Sequence, residues 1–169
     1  MAVLVALNGP PGIGKTTLAN RYAAEHPLAL SLDLDLVRGQ VGTHPDQPDA
    51  AWLAARELVL AMARVHLRAG HDVVVPQYLG RPAFLDRLEG VAVEVGVPFV
   101  EVVLMDHRAA ALERFATRGG DVHLGPEYYD RLQSLLPDRS AAQVIWTEDG
   151  AVDAAYQHLL RVVGAAGRQ

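Results

Sequence analysis

The chain has 169 residues, half of them hydrophobic and few aromatic, and carries a formal net charge of −5. That length favours one domain with its own core, and abundant alanine and valine suit α/β packing better than an all-β sandwich. The absence of cysteine excludes disulfides and thiolate metal sites, the acidic balance argues against a general nucleic-acid surface, and no apolar run approaches the roughly 18 residues of a membrane span.

Val3-Leu4-Val5-Ala6-Leu7 is an unbroken apolar run and predicts a buried parallel strand. No charged leader region precedes it, so a cytoplasmic location is expected. Gly9-Pro10-Pro11-Gly12-Ile13-Gly14-Lys15-Thr16 comes next and matches G-x-x-x-x-G-K-T, a P-loop. Residues 17–26 read as a helix, with Leu18 and Tyr22 at helical spacing. Strand, glycine loop and helix are the three parts the motif needs. Its glycines let backbone N–H groups turn inward around a phosphate, and the helix opening at Lys15 adds its positive end. In that arrangement Lys15 reaches the β- and γ-phosphate oxygens and the Thr16 hydroxyl ligates Mg²⁺. Thr17 extends the motif. Lys15 is also the only lysine in the chain. A compact ammonium on a flexible stem suits a phosphate cradle better than a guanidinium does.

Residues 28–33 read as a second strand, ending in Asp33-Leu34-Asp35-Leu36-Val37-Arg38. On a strand Asp33 and Asp35 alternate and point to one side, at the carboxyl end where open α/β sheets place ligands. Glycines and prolines make residues 39–48 a loop. A long helix spans 49–69, with Asp49 as N-cap, Gly70 as its stop, and a buried stripe of Leu53, Leu58, Ala61, Met62, Val65 and His66. Trp52 near its start reads as core. The third strand is 72–76, leading to Gln77-Tyr78-Leu79-Gly80-Arg81, and Pro82 opens a helix over 83–95. The fourth strand is 99–105, Asp106 caps a helix over 108–118, and a short helix covers 126–135. A fifth strand at 144–146 and a last helix at 151–163 follow, with 164–169 as a frayed tail. Strand then helix, repeated, predicts a three-layer α/β fold: a five-stranded parallel sheet with helices on both faces. The whole of 1–169 reads as a single domain. His44, His66, His71 and His123 are scattered, and no pair has metal-ligand spacing.

Phosphoryl transfer to a hydroxyl needs an acceptor held in line with the γ-phosphate and a carboxylate to orient it and take its proton. Taken together, the loop and the acids after strand two resemble the small P-loop kinases: shikimate, gluconate and chloramphenicol kinases, and the polynucleotide-kinase-type domains of the AAA ATPase group. The resemblance spans nearly the whole chain in element order, while its motifs lie in a few short stretches. It implies a P-loop NTPase fold and an ATP- and Mg²⁺-dependent kinase acting on a small-molecule hydroxyl, as a monomer or homodimer. It implies a base at the end of the second strand, either Asp35 or Asp33. Asp35-x-x-Arg38 is similar to the acceptor-site pattern of the polynucleotide kinases, which favours Asp35 with Arg38 clamping it. That pattern also raises a polynucleotide 5′-hydroxyl kinase, against which the acidic balance weighs. Arg114 and Arg118 share a helix face. The resemblance makes Arg118 a charge-neutralising residue at the start of a lid over about 119–139, in which His123, Tyr128, Tyr129 and Arg131 have access to substrates. Gln77, Tyr78 and Arg81 face the acceptor pocket. The family often has an acid at Gln77, and its absence leaves Asp33, Asp35 or Asp106 to support the metal. A nucleotide-dependent switch is the remaining alternative. A guanine-reading N-K-x-D is ruled out in it, because Lys15 is the only lysine.

Overall fold

The first apolar run becomes β1 (Leu4–Asn8), and all five of its residues are buried. It sits at the centre of the sheet because it is apolar on both faces, as a strand covered on both sides must be. The computed structural model describes residues 1–43, 46–47, 49–117, 119, 121, 124–147 and 151–167. The other strands are β2 (Leu30–Ser31), β3 (Val73–Pro76), β4 (Phe99–Met105) and β5 (Gln143–Trp146). Their order is β2-β3-β1-β4-β5. All pairings are parallel, with Leu4 opposite both Val73 and Phe99.

The helices are α1 (Lys15–Glu25), α2 (Leu34–Gln40), α3 (Ala50–Arg68), α4 (Pro82–Val95), α5 (Arg108–Thr117), α6 (Gly125–Leu135) and α7 (Val152–Ala166), with a 3₁₀ turn at Leu136–Asp138. One face of the sheet packs Leu4, Ala6, Val73 and Val75 against Ala55, Val59, Leu85 and Leu88 of α3 and α4. The other packs Val5, Leu7 and Val102 against Leu18 and Tyr22 of α1 and Tyr156 and Leu159 of α7. Each fully buried leucine in these layers contributes about 2 kcal/mol through removal from water.

Several boundaries differ from expectation. The second strand is only Leu30–Ser31, and the chain turns into α2 at once. Asp33 is the N-cap of that helix, its carboxylate accepting from the Asp35 N–H at 2.8 Å. Asp33 and Asp35 therefore do not alternate along a strand; the capping strength of Asp33 outweighs the strand pattern. The helix also continues through Gly39 and Gln40, into the stretch expected to be loop. On α3 the buried face is Ala51, Ala55, Val59, Leu60, Ala63 and Leu67, while Leu53, Leu58, Met62 and Val65 are exposed. Trp52 is exposed too, not core. Small alanines let α3 lie close to its neighbours, and that proximity overrides the larger side chains on the adjacent stripe. Residues 164–166, expected to fray, extend α7, which buries Ala155, Tyr156, Leu159 and Val163.

Candidate functional site

β1 delivers the chain into the glycine loop, and two glycines explain its course. Gly9 has φ 149°, and a Cβ there would stand 2.7 Å from the Leu104 carbonyl oxygen of β4. Gly14 has φ 107° and forms the N-cap of α1, a left-handed conformation that side chains resist. Pro10 and Ile13 are buried, and the Ile13 N–H donates to the Pro10 carbonyl at 3.3 Å. Pro11 and Gly12 are half-buried at the outer bend. The Lys15 ammonium donates to the Gly9 and Pro10 carbonyls, both at 2.9 Å. The lysine at the start of α1 thus folds back onto the glycine loop.

Asn8, absent from the sequence expectations, fastens this loop to the turn after β3. Its side-chain amide donates to the Leu79 carbonyl at 3.0 Å, and its oxygen accepts from the Gly9 and Leu79 N–H groups, both at 2.8 Å. The signal was a single polar residue closing an apolar run directly before the motif. Asn8 is fully buried. Asn8→Ala strands three backbone groups at roughly 1–3 kcal/mol each, so we expect a loss of at least about 3 kcal/mol in urea unfolding. An unchanged unfolding midpoint would contradict this role.

At the start of α1 the Thr16 hydroxyl donates to Asp33 Oδ2 at 3.3 Å. Asp35 opens onto the same cleft. Partial burial, followed by the Asp33 carboxylate, raises its pKa above the usual carboxylate value; a hydrogen bond from the Gln77 side chain and the Lys15 charge pull it back. The cleft therefore brings together Lys15, Thr16, Asp33, Asp35 and Gln77. The expected clamp of Arg38 on Asp35 is not formed. Arg38 lies over the Trp52 ring at 5.5 Å instead, with its Nε buried and without a hydrogen-bond partner among the described residues. A tryptophan face competes well for a guanidinium against an acid one helical turn away.

The turn after β3 divides. The Gln77 N–H donates to the Leu7 carbonyl at 3.1 Å, which aims its side chain at Asp35. The Tyr78 hydroxyl donates to the Tyr128 carbonyl at 3.1 Å, and the two rings meet at a 57° tilt with centroids 5.0 Å apart, joining this turn to α6. Arg81 is exposed at the N-cap of α4. Within the segment expected as a lid, Tyr129 and Leu132 are buried with Val103 and Met105, and the Tyr129 hydroxyl donates to the Asp106 carbonyl at 2.9 Å. Tyr129 is thus a core brace with no route to a substrate. Arg131 pairs with Glu127. Arg118 and His123 lie outside the described residues.

A second hollow, about 160 Å³, adjoins the outer side of the loop between Gly12, Gly14, Thr17, Arg114, Thr147 and Val152. Arg114 is paired with the buried Asp106, whose other oxygen accepts from the His107 N–H at 2.6 Å. Asp106 is thus directed to Arg114, while Asp33 is the acid at Thr16. Hydroxyl and carboxylate oxygens at that point are the donor set a hard divalent cation takes, so Thr16 and Asp33 fit Mg²⁺. Among the described residues no cluster of three His, Cys, Asp or Glu could hold a metal by itself, so a metal here must share its ligands with phosphate and water.

A family model described as an AAA domain matches residues 4–124. No curated protein matches the chain. Among solved structures, the Deinococcus radiodurans tunicamycin resistance protein is 20% identical, with a TM-score of 0.70 over 97% of this chain and 96% of that one. An APS kinase from Mycobacterium tuberculosis is 15% identical, with a TM-score of 0.59 over 96% and 97%. A gluconokinase from Sinorhizobium meliloti is 16% identical, with a TM-score of 0.63 over 96% and 92%. At these identities the likeness is one of fold, the α/β P-loop architecture. No helix among the described residues is long and apolar enough to cross a membrane.

Proposed function

This chain belongs to the AAA domain family, and we propose that within it the protein is an ATP-dependent kinase acting on a hydroxyl of a small molecule. Two of the structurally similar proteins, the APS kinase and the gluconokinase, carry kinase in their names, which supports the reading. The observation that carries it is the meeting of Thr16, Asp33 and Asp35 beside Lys15 at the mouth of the loop.

The roles follow from position. Loop residues 9–16 hold the triphosphate with backbone N–H groups, and Lys15 neutralises its outer end. The hollow beside Gly14, Thr17, Arg114 and Thr147 receives the base. Thr16 and Asp33 hold Mg²⁺, which when bound supplies charge neutralisation at the phosphates. Asp35 accepts the proton of the acceptor hydroxyl as its oxygen bonds the γ-phosphorus; the bond from that phosphorus to the bridging oxygen breaks, and ADP leaves. Gln77 orients Asp35. Arg38, Trp52 and Arg81 border the acceptor side, where the guanidiniums favour an acceptor with a polar or anionic group.

The general test is acceptor-stimulated ADP release across sugars, nucleosides, antibiotics and oligonucleotides with Mg·ATP. Stimulation well above background is expected from one class. Slow, acceptor-independent hydrolysis throughout would favour a switch. A finer test uses Gln77→Leu. The Gln77 hydrogen bond stabilises the ionised form of Asp35 and so lowers its pKa. Without it the carboxylate ionises only at higher pH, and the acid limb of kcat against pH should move upward. An unmoved or lowered limb would remove Asp35 as the titrating base.

A further inference from the structure

Away from the cleft, α3 carries an apolar stripe on its solvent side. Ala54, Leu58, Ala61, Met62, Val65 and Ala69 recur at helical spacing and fall within about 100° of the helix surface. Leu58, Met62 and Val65 are exposed, Val65 by 70%. No charge interrupts the stripe over about four turns. Beside it, Leu30, Ala61, Met62, Val65 and His66 line a shallow groove at the edge strand β2. Leu28 extends the same surface. It is 68% exposed and has φ 61°, a conformation leucine seldom takes, and its carbonyl accepts from His66 Nε2 at 2.6 Å. A continuous exposed apolar surface marks a place where another molecule packs.

The charges beside the stripe say which molecule. The flank turned to α4 is polar. In the N-terminal half of α3, Glu57 pairs with Arg87; in the C-terminal half, Arg64 and Arg68 share Glu94. The second half thus carries a surplus positive charge, and Glu57 keeps 64% of its side chain exposed in the first. An acid at one end and surplus base at the other complement each other when the helix meets a reversed copy of itself.

We propose that two copies of this chain associate through antiparallel α3 helices, about a twofold axis passing between Ala61 and Met62. That axis sets Leu58 against the partner's Val65, Ala61 against the partner's Met62, and Ala54 against the partner's Ala69. A small side chain meets a large one at the axis and alanines meet at the two ends, so the helices lie close. The succession Ala54, Leu58, Ala61, Val65 has the alternating four- and three-residue steps of a helical seam. The twofold keeps the polar flanks on one side, and Glu57 falls between the partner's Arg64 and the partner's Arg68 at both ends of the contact. Leu28 and the groove by β2 close the opposite flank. Trp52, with Arg38 over its ring at 5.5 Å, marks the cleft end of α3, so reversal turns the two clefts away from each other.

Sedimentation equilibrium of the full chain is expected to show a monomer–dimer equilibrium with a Kd below about 50 µM. Val65→Glu and Leu58→Glu each set a carboxylate in the seam and should weaken association at least about tenfold. Both residues are exposed in the single chain, so circular dichroism of the variants should match the parent. Glu57→Arg sets like charges together and should weaken association about threefold or more. The chain has no cysteine, so Ala61→Cys introduces a single thiol, which should oxidise to a disulfide-linked dimer. Ala54→Cys alone should not, because its two copies stand about 22 Å apart along the helices, whereas a mixture of Ala54→Cys and Ala69→Cys chains should crosslink. A chain that stays monomeric up to about 1 mM would overturn the proposal and leave the stripe to another protein or a membrane surface. A dimer indifferent to both seam substitutions, or one that Ala54→Cys crosslinks as readily as Ala61→Cys, would overturn it too.

Discussion

Lys15→Met is expected to lower phosphoryl transfer by at least about a thousandfold while leaving the melting temperature within a few degrees of the parent. Lys15 is 9% exposed, and its ammonium donates to the Gly9 and Pro10 carbonyls, both at 2.9 Å. Methionine keeps an unbranched stem of similar length, so the packing of the loop against Leu104 survives. It offers no donor and no charge at the outer phosphate. The loop glycines retain their dihedrals and their N–H groups, so binding of the inner phosphates should fall far less than turnover. Lys15→Arg should not restore activity, because a planar guanidinium is too broad for the space between two loop carbonyls. Acceptor-dependent ADP release and thermal unfolding measured on the same preparation decide the matter. Normal turnover in a folded Lys15→Met protein would remove the loop from the chemistry.

The parts legible in the sequence are those where one local signal dominates. β1 and β4 are apolar runs bounded by turn residues, and the loop between Gly9 and Thr16 has a spacing that few other structures need. The buried face of α3 differs from the expected one because the helix carries two apolar stripes. Periodicity cannot choose between Leu53, Leu58, Met62 and Val65 on one side and Ala51, Ala55, Val59 and Ala63 on the other. Close packing chooses the small residues. The Asp33–Asp35 pair illustrates a competition of the same kind. Its alternation suits a strand, but the capping hydrogen bond from the Asp35 N–H to Asp33 ends β2 early and starts α2. What makes Asn8, Glu101 and Arg139 matter is tertiary. Asn8 meets Leu79 across 71 positions, and Arg139 meets Glu101 across 38. A local pattern can flag a residue, as the polar end of an apolar run does for Asn8, but it does not name the distant partner.

The division of labour between the two acids gives the second large effect. Asp35→Asn is expected to reduce kcat by about 10²- to 10⁴-fold, the usual worth of a positioned general base, with little change in nucleotide affinity. Asp33→Asn should behave differently. Asparagine caps a helix nearly as well as aspartate, so α2 should remain in place. What it loses is the negative charge facing the Thr16 hydroxyl at 3.3 Å. The magnesium concentration for half-maximal activity should then rise, and added Mg²⁺ should recover part of the rate. In Asp35→Asn no amount of Mg²⁺ should do so. The loss of the Asp33 charge also removes one cause of the raised Asp35 pKa, so the acid limb of kcat in Asp33→Asn should move to lower pH. Magnesium rescue in the Asp35 variant but not in the Asp33 variant would exchange the two roles. The cleft would then still be a phosphotransfer site, with the capping residue as its base.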